Sequence, residues 1–264
     1  MRRTMTAGPE ASQQPAARVA LVTGGAKRVG RAVALELARA GLDVAITYLT
    51  SETEAMEVVT AIQAMGRRSV AIKVDMASAD AVDIIDRQLQ AAFDRVDVLV
   101  NNASVFDPTP LAQLTTQQFD EQMVINARTP LMLMQRLAPK LAAHYRKGDV
   151  ASTGRIINFI DIHVMGQPLK GFMAYNASKA ALQEATMTAA MELAPAVTVN
   201  AIAPGVIAWA ESYTPEAREA YMRRVPLARP GTPEDAAAAV KFLACDAHYC
   251  TAQIIRLDGG RFLT

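Results

Sequence analysis

The fold is indicated most directly by RVALVTGGAKRVG, residues 18–30 of the chain. Its first half is an apolar run typical of a short buried strand, and its second half is a glycine-containing turn before a helical pattern that reaches residue 40. Small residues let the backbone of such a turn approach a pyrophosphate, and the amide groups and dipole at the helix start favour its negative charge. A tight turn without a ligand is the alternative. The residues predicted to bind phosphate are Gly24, Lys27, Arg28, Val29 and Gly30, of which Arg28 stands where a middle glycine is usual.

Six further strand-like runs alternate with helical patterns along the rest of the chain. They are residues 43–48, 69–75, 96–101, 155–160, 197–202 and 254–257. This alternation predicts an α/β fold, a doubly wound parallel sheet of the Rossmann type with about seven strands and helices on both faces. Cap residues mark helix starts at Ser51, Thr115, Thr214 and Thr232.

Composition limits the function classes that are open. A chain of 264 residues that is 51% hydrophobic can bury one large core, so residues 18–264 are predicted to form a single domain. Residues 1–17, rich in Ala, Gln, Pro and Ser, predict a disordered leader. A net charge of +1 gives no electrostatic basis for binding nucleic acid or an anionic membrane, and no apolar run is long enough for a membrane span. Cys245 and Cys250 lack metal-ligand spacing, so no metal is expected.

A tyrosine and a lysine four residues apart, Tyr175 and Lys179, open a helical pattern that runs to residue 193. Residues at this spacing share one face of a helix, so the ammonium can lie beside the phenol and favour its ionised form. Tyr175 could then pass a proton near neutral pH. Such a pair also arises by chance on ordinary surface helices, so its weight depends on the surrounding motifs.

Those motifs together resemble the short-chain dehydrogenase/reductase family, from about residue 18 to residue 264. They are residues 23–30 in the turn, residues 101–106 after the fourth predicted strand, Asn126, and the Tyr175–Lys179 pair. Three details are similar to the pteridine reductase branch of that family. They are Lys27 with Arg28, the loop of residues 101–111, and Asp161 with residues 167–169, Asp161 standing where related oxidoreductases usually place a serine.

The resemblance implies a nicotinamide cofactor, and the sequence favours NADPH over NADH. Residues 48–51 contain no acid that would hold a ribose hydroxyl or repel a 2′-phosphate, and Arg28 can supply positive charge. The resemblance also makes Tyr175 and Lys179 cofactor ligands and gives Asn126 a catalytic role, holding a water near Lys179. The other residues expected to contact the cofactor are Tyr48, Leu49, Thr50, Ser51, Asp75, Met76, Asn102, Ala103, Ser104, Pro204, Gly205 and Val206.

Asp161 follows an apolar strand and is expected to point into the crevice at the carboxyl ends of the strands. An ionised aspartate accepts hydrogen bonds and repels the oxyanion of a ketone under reduction, so it suits a substrate with N–H groups. Phe106 offers an aromatic face for a flat heterocycle. A solvent-facing loop acid and a core phenylalanine are the respective alternatives. The residues predicted to bind substrate are Arg28, Ser104, Phe106, Asp161, Leu169 and Tyr175.

These expectations combine into NADPH-dependent reduction of a C=N bond in a dihydropterin or dihydrofolate, with Asp161, Tyr175, Lys179 and Asn126 as the catalytic set. The nearer alternative is a general carbonyl reductase, such as a 3-oxoacyl thioester reductase, and the more distant one is a non-catalytic NADPH-binding protein. Residues 204–227 lack a clear period and are predicted to form a substrate lid. The resemblance implies a cytoplasmic homotetramer, with interfaces formed by helices in residues 116–147 and 175–193.

Overall fold

A computed structural model describes residues 17–207, 209 and 214–264 of the chain. The predicted leader lies outside the described residues except for Ala17, and so do residues 208 and 210–213 of the predicted lid. The seven strands are β1 (Val19–Val22), β2 (Asp43–Tyr48), β3 (Ser69–Lys73), β4 (Val98–Asn101), β5 (Gly154–Phe159), β6 (Val197–Pro204) and β7 (Ile254–Leu257). The eight α-helices of the described part are α1 (Arg28–Arg39), α2 (Glu52–Ala64), α3 (Ala81–Ala92), α4 (Thr116–Met123), α5 (Thr129–Ala142), α6 (Met173–Leu193), α7 (Pro215–Met222) and α8 (Pro233–Lys241).

All seven strands are parallel and lie in the order β3-β2-β1-β4-β5-β6-β7. The chain therefore builds outward from β1 to one edge and then from β4 to the other, which confirms the predicted doubly wound Rossmann-type sheet. The point where the order reverses lies between β1 and β4. In open sheets of this kind ligands bind at that point, beyond the carboxyl ends of the strands.

Helices cover both faces of the sheet, each over its own apolar core. One core joins alternate strand residues to α1, α2 and α8, with Leu37, Val58 and Val240 fully buried. The opposite core joins the other strand residues to α3, α5 and α6. Both faces being covered explains why the strands read as continuous apolar runs instead of alternating ones.

Element boundaries agree with the predictions to within two residues at most strand ends. β2 and β7 have the predicted limits, whereas β3 ends at Lys73 instead of residue 75. This edge strand pairs only with β2, and Tyr48, the last residue of β2, is already paired with Lys73. β6 extends to Pro204 because Leu257 of β7 pairs with it there.

The predicted helix caps differ in how they act. Thr115 and Thr232 form capping boxes with Gln118 and Asp235, respectively. Thr214 accepts a bond from the backbone of Ala217. Ser51 precedes α2, but its side chain forms no capping bond. Among the described residues, no helix combines the length and apolar character needed to cross a membrane.

Candidate active site

A crevice of about 490 Å³ lies at the carboxyl ends of β1, β4, β5 and β6, where the strand order reverses. It brings together most of the residues predicted for the site. Those lining it are Gly24, Lys27, Arg28, Val29, Gly30, Asn102, Ala103, Ser104, Phe106, Asp161, Leu169, Tyr175, Lys179, Pro204, Gly205 and Val206. Further lining residues include Ile160, which was not predicted, and Ile207, Trp209 and Tyr221, which belong to the predicted lid.

The turn between β1 and α1 forms one end of the crevice. Gly24 has φ +63°, and a Cβ built on Gly30 would lie 2.1 Å from the carbonyl oxygen of Gly24, so both positions require glycine. α1 has no side-chain cap and no acid in its first turn. The start of α1 thus has no side-chain acceptor at its cap and no negative charge in its first turn, which suits the binding of a dinucleotide pyrophosphate.

Arg28 also has a positive φ, +50°, which a residue with a side chain adopts only at an energetic cost. Glycine would be relaxed at this point of the turn, and arginine is strained. A strained residue in a turn of this kind is a candidate for a functional side chain, and Arg28 lines the crevice.

Asn102 ties the loop after β4 to the phosphate turn. Its backbone amide donates to Thr23 Oγ1 at 2.9 Å, and its side-chain Nδ2 donates to the Thr23 carbonyl at 2.8 Å. The backbone amide of Ala103 donates to the same hydroxyl at 3.0 Å. These bonds fix the relative position of the two segments that border the switch point of the sheet.

Lys27 lines the crevice, and its ammonium also pairs with a residue at the start of α2. Its ammonium lies 2.8 Å from Glu54 Oε1 on the surface. The hydrogen bond from Lys27 lowers the pKa of the Glu54 carboxyl below its usual value, with a smaller contribution from the backbone of Glu54.

Six residues predicted for the adenosine end of the cofactor do not line this crevice. They are Tyr48 at the end of β2, Leu49, Thr50 and Ser51 directly after it, and Asp75 and Met76 after β3. Leu49 is 51% exposed, whereas Met76 is buried. The Asp75 carboxylate accepts a bond from the backbone amide of Ala77 at 2.8 Å. The role of these six residues at the adenosine end of the cofactor stays a prediction.

Tyr175 and Asp161 meet in the middle of the crevice. The Tyr175 hydroxyl donates to Asp161 Oδ2 at 2.8 Å, and Asp161 Oδ1 accepts from the backbone amide of His163 at 2.8 Å. Both carboxylate oxygens therefore already accept a bond from the protein. His163 lines the crevice as well, and its Nδ1 lies 2.8 Å from the carbonyl oxygen of Gln167.

Lys179 lies one turn beyond Tyr175 on α6, almost fully buried. Its ammonium donates to the carbonyl oxygen of Phe159 at 2.8 Å and lies 5.9 Å from the centre of the Tyr175 ring. Burial lowers the pKa of Lys179 to about 8, and the charge of Asp161 opposes this shift. With its pKa lowered to about 8, Lys179 remains mostly protonated at pH 7.

Asn126 lies in the π-helical turn Val124–Arg128 that joins α4 and α5, and it is fully buried. Its Oδ1 accepts from Ser104 Oγ at 3.0 Å and from the Val105 amide at 2.9 Å. Its Nδ2 donates to the Val105 carbonyl at 2.9 Å and lies 3.1 Å from Ser178 Oγ. Asn126 therefore holds the loop after β4 against α6.

Phe106, Phe172 and Tyr175 form an aromatic cluster, of which Phe106 and Tyr175 line the crevice. Phe106 stacks on Phe172 with ring centres 4.4 Å apart and an interplanar angle of 17°, and it meets Tyr175 edge to face at 4.7 Å. Phe172 was not predicted, because nothing in its local sequence indicates a partner on a loop so far back in the chain.

Trp209, Tyr221 and α7 border the crevice on the side of the predicted lid. Trp209 and Tyr221 lie edge to face at 5.6 Å, and the Val206 amide donates to the Tyr221 hydroxyl at 3.3 Å. In the part of the chain that the structure describes, His, Cys, Asp and Glu form no group that could hold a metal ion.

The doubly wound sheet, the phosphate turn and the Tyr175–Lys179 pair define a nicotinamide-dependent oxidoreductase. Residues 24–261 match the family model described as Enoyl-(Acyl carrier protein) reductase, and the chain belongs to the short-chain dehydrogenase/reductase family. It is 39% identical to a 3-oxoacyl-(acyl-carrier-protein) reductase of Synechocystis sp., over 92% of this chain and 96% of that protein. It is 35% identical to the corresponding reductase of Staphylococcus aureus, over 92% of this chain and 98% of that protein.

Solved structures give the same family. The acetoin dehydrogenase of Enterobacter cloacae superimposes with a TM-score of 0.83 at 31% identity, covering 95% of this chain and 97% of that chain. The acetoin dehydrogenase YohF of Salmonella typhimurium superimposes with a TM-score of 0.84 at 30% identity, covering 94% and 97% of the two chains.

The predicted reduction of a dihydropterin or dihydrofolate is wrong, because the relatives are named 3-oxoacyl reductases. The pteridine reductase branch is not confirmed either. The prediction gave most weight to Asp161, but its carboxylate accepts from the Tyr175 hydroxyl and the His163 amide. Contacts within the protein therefore account for its position, and a substrate with N–H groups is not needed to explain it. Phe106 likewise packs against Phe172 and Tyr175.

Proposed function

We propose that this protein is an NADPH-dependent reductase of 3-oxoacyl thioesters, the alternative that the sequence left open. The observation that carries the proposal is a proton-donating phenol at the centre of a mostly apolar crevice. Leu169, Val206, Ile207 and Trp209 line the crevice around Tyr175, and their side chains suit an acyl chain. Relatives named 3-oxoacyl reductases over nearly their full length support the same substrate class.

The residues present fit a dinucleotide with a 2′-phosphate. The first turn of α1 offers amide donors and carries no acid, and Arg28 adds positive charge beside it. The segment after β2 has no carboxylate until Glu52 and Glu54 in the first turn of α2, where Glu54 is paired with Lys27. When bound, the reduced nicotinamide supplies a hydride to the substrate carbonyl carbon.

Tyr175 is the proton donor in this proposal. Its hydroxyl hydrogen leaves the bond to Asp161 and passes to the carbonyl oxygen, so that the ketone becomes an alcohol. The ammonium of Lys179 stabilises the resulting phenolate across the face that the two residues share on α6. Asp161 holds the phenol in place before substrate arrives, and its negative charge opposes the oxyanion that develops on the carbonyl.

The decisive experiment follows NADPH oxidation by the purified protein with an acetoacetyl thioester and, in parallel, with diacetyl. Turnover of the thioester with a higher kcat/KM than that of diacetyl is the expected result. Tyr175→Phe keeps the ring contact with Phe106 and loses the proton, so its kcat should fall by about 10² or more. Preference for the small diketone, or a Tyr175→Phe variant as active as the unmodified protein, contradicts the proposal.

A further inference from the structure

The N-terminus of the catalytic helix is capped by a residue from a different part of the chain. α6 begins at Met173, so Tyr175 is the third residue of its first turn. The preceding residue, Phe172, has no side-chain acceptor and forms no capping bond. A helix of this kind leaves its first amides without acceptors unless another segment provides them.

Thr109, on the loop after β4, provides them. Its carbonyl oxygen accepts from the Met173 amide at 3.2 Å, and its side-chain Oγ1 accepts from the Ala174 amide at 3.0 Å. Its own amide donates to the carbonyl of Gly171 at 2.7 Å. Thr109 is 1% exposed, so water cannot replace these bonds.

The same contact supports the aromatic cluster of Phe106, Phe172 and Tyr175. Thr109 pairs with Phe172 as an isolated parallel bridge, and Phe106 lies three residues earlier on the same loop. The bridge keeps the rings of Phe106 and Phe172 stacked, and Phe106 in turn abuts Tyr175. The cap and the stack therefore restrain Tyr175 from both its backbone and its ring.

We propose that Thr109 is a positioning residue for proton transfer, which sets the place of the Tyr175 hydroxyl by capping α6 from the loop after β4. Thr109 is not among the residues that line the crevice, so its effect passes through the first turn of α6 and the stacked rings. This inference rests on the proposed function for the choice of substrate only.

The test compares Thr109→Val, which keeps the shape and removes the Oγ1 acceptor, with Thr109→Ser, which retains it. Thr186→Val is the matched control, because Thr186 is also a fully buried, hydrogen-bonded threonine, on α6 but three turns from Tyr175. Readouts are kcat and KM with an acetoacetyl thioester, NADPH affinity, and amide hydrogen exchange at Met173 and Ala174. The ionisation of Tyr175 is followed by tyrosinate absorbance against the corresponding Tyr175→Phe background.

For Thr109→Val we expect a fall in kcat of about fivefold, equivalent to about 1 kcal/mol, with NADPH affinity within about twofold of the unmodified protein. The ionisation midpoint of Tyr175 should rise by about half a pH unit. The positive end of the helix dipole favours the phenolate, and this effect weakens when the first turn of α6 no longer holds the phenol in one place. In Thr109→Ser, kcat and the ionisation midpoint of Tyr175 should stay at the values of the unmodified protein. Thr186→Val should lower Tm and change neither.

Unchanged kcat and Tyr175 ionisation in Thr109→Val, or equal losses in Thr109→Ser, would overturn the inference. An effect of the same size in Thr186→Val would reduce Thr109 to a general contributor to stability and would overturn it as well. If the unmodified protein does not reduce the thioester, that result contradicts the proposed function and not the inference about Thr109. The Tyr175 titration and the amide exchange would then still decide the role of Thr109.

Discussion

Asp161 and Tyr175 share one hydrogen bond, and at the scale of single residues that bond has the largest consequence. Replacing Asp161 with serine removes a negative charge next to the developing oxyanion and adds a hydroxyl donor. We expect Asp161→Ser to raise kcat/KM for an acetoacetyl thioester by about tenfold. Steady-state NADPH oxidation measures this, with Asp107→Ser as a control that removes an exposed acid from the neighbouring loop. A decrease in Asp161→Ser alone would show that the carboxylate assists the reaction.

Lys179 gives a second prediction, for stability against pH. Burial lowers its pKa from 10.5 to about 8, so the folded state binds this proton more weakly than the unfolded state does. The buried ammonium therefore destabilises the fold most fully below pH 8, and the penalty fades as pH rises from about 8 to 10.5. Lys179→Met should raise the free energy of unfolding by roughly 2 kcal/mol more at pH 7 than at pH 10.

Urea unfolding at the two pH values measures the difference. Lys147→Met, at an exposed lysine, is the matched control and should show no such pH dependence. An equal gain for Lys179→Met at pH 7 and pH 10 would mean that the ammonium is not desolvated as its position indicates.

Three central residues show which parts of the site the sequence can predict. Tyr175, Lys179 and Asp161 were placed in the crevice because each follows a local pattern, a helical spacing or the end of an apolar strand. The pterin substrate inferred from Asp161 was wrong, because a carboxylate in the crevice does not by itself identify the substrate. Its two oxygens accept from the His163 amide and the Tyr175 hydroxyl, so contacts within the protein account for it.

At the scale of elements, the turn between β1 and α1 combines strain with binding. Arg28→Ala and Arg28→Gly both remove the guanidinium, but only glycine relaxes the φ of +50°. We expect the two variants to lose NADPH affinity equally, and to lose far more for NADPH than for NADH. Without cofactor, the glycine variant should be more stable than the alanine variant by about 1 kcal/mol.

Isothermal titration with both cofactors and chemical denaturation of the two variants measure these differences. A glycine variant no more stable than the alanine variant would show that the turn does not hold Arg28 under strain. Equal losses of NADPH and NADH affinity would show that Arg28 does not recognise the 2′-phosphate.

Elements were predicted best where their signals are local. The apolar runs of β2 and β7 and the capping boxes of α4 and α8 needed no knowledge of the rest of the chain. The end of β3 was placed two residues too far because it depends on where its neighbour β2 stops. The start of α6 depends in the same way on Thr109, which no pattern around Met173 could indicate.

For the whole molecule, the homotetramer implied by the family resemblance stays a prediction. A groove of about 520 Å³ lies between α4, α5 and α6. Its lining is mainly apolar, with Met123, Val124, Ala127, Leu131, Ala181 and Ala185, and includes the charged residues Asp120 and Arg128. Leu131 is 40% exposed there. We expect light scattering to give four times the 28.3 kDa chain mass.

Leu131→Glu should lower that mass, because it places a charge on the apolar face of the assembly. Val150→Glu, at a hydrophobic residue that is 54% exposed on another surface, should leave the mass unchanged. A monomer in the unmodified protein, or equal effects of the two substitutions, would contradict this arrangement.

The pairing of Thr109 with Gly171 and Met173 also sets a rule for engineering. Two segments that are far apart in sequence, the loop after β4 and the approach to α6, share one set of backbone bonds and one ring stack. If only one segment is replaced by that of a relative, its backbone bonds and ring contacts must form with a native segment that does not match it. Chimaeras that exchange both segments together should keep activity more often than chimaeras that exchange only one. The two segments should therefore be treated as one unit in protein engineering.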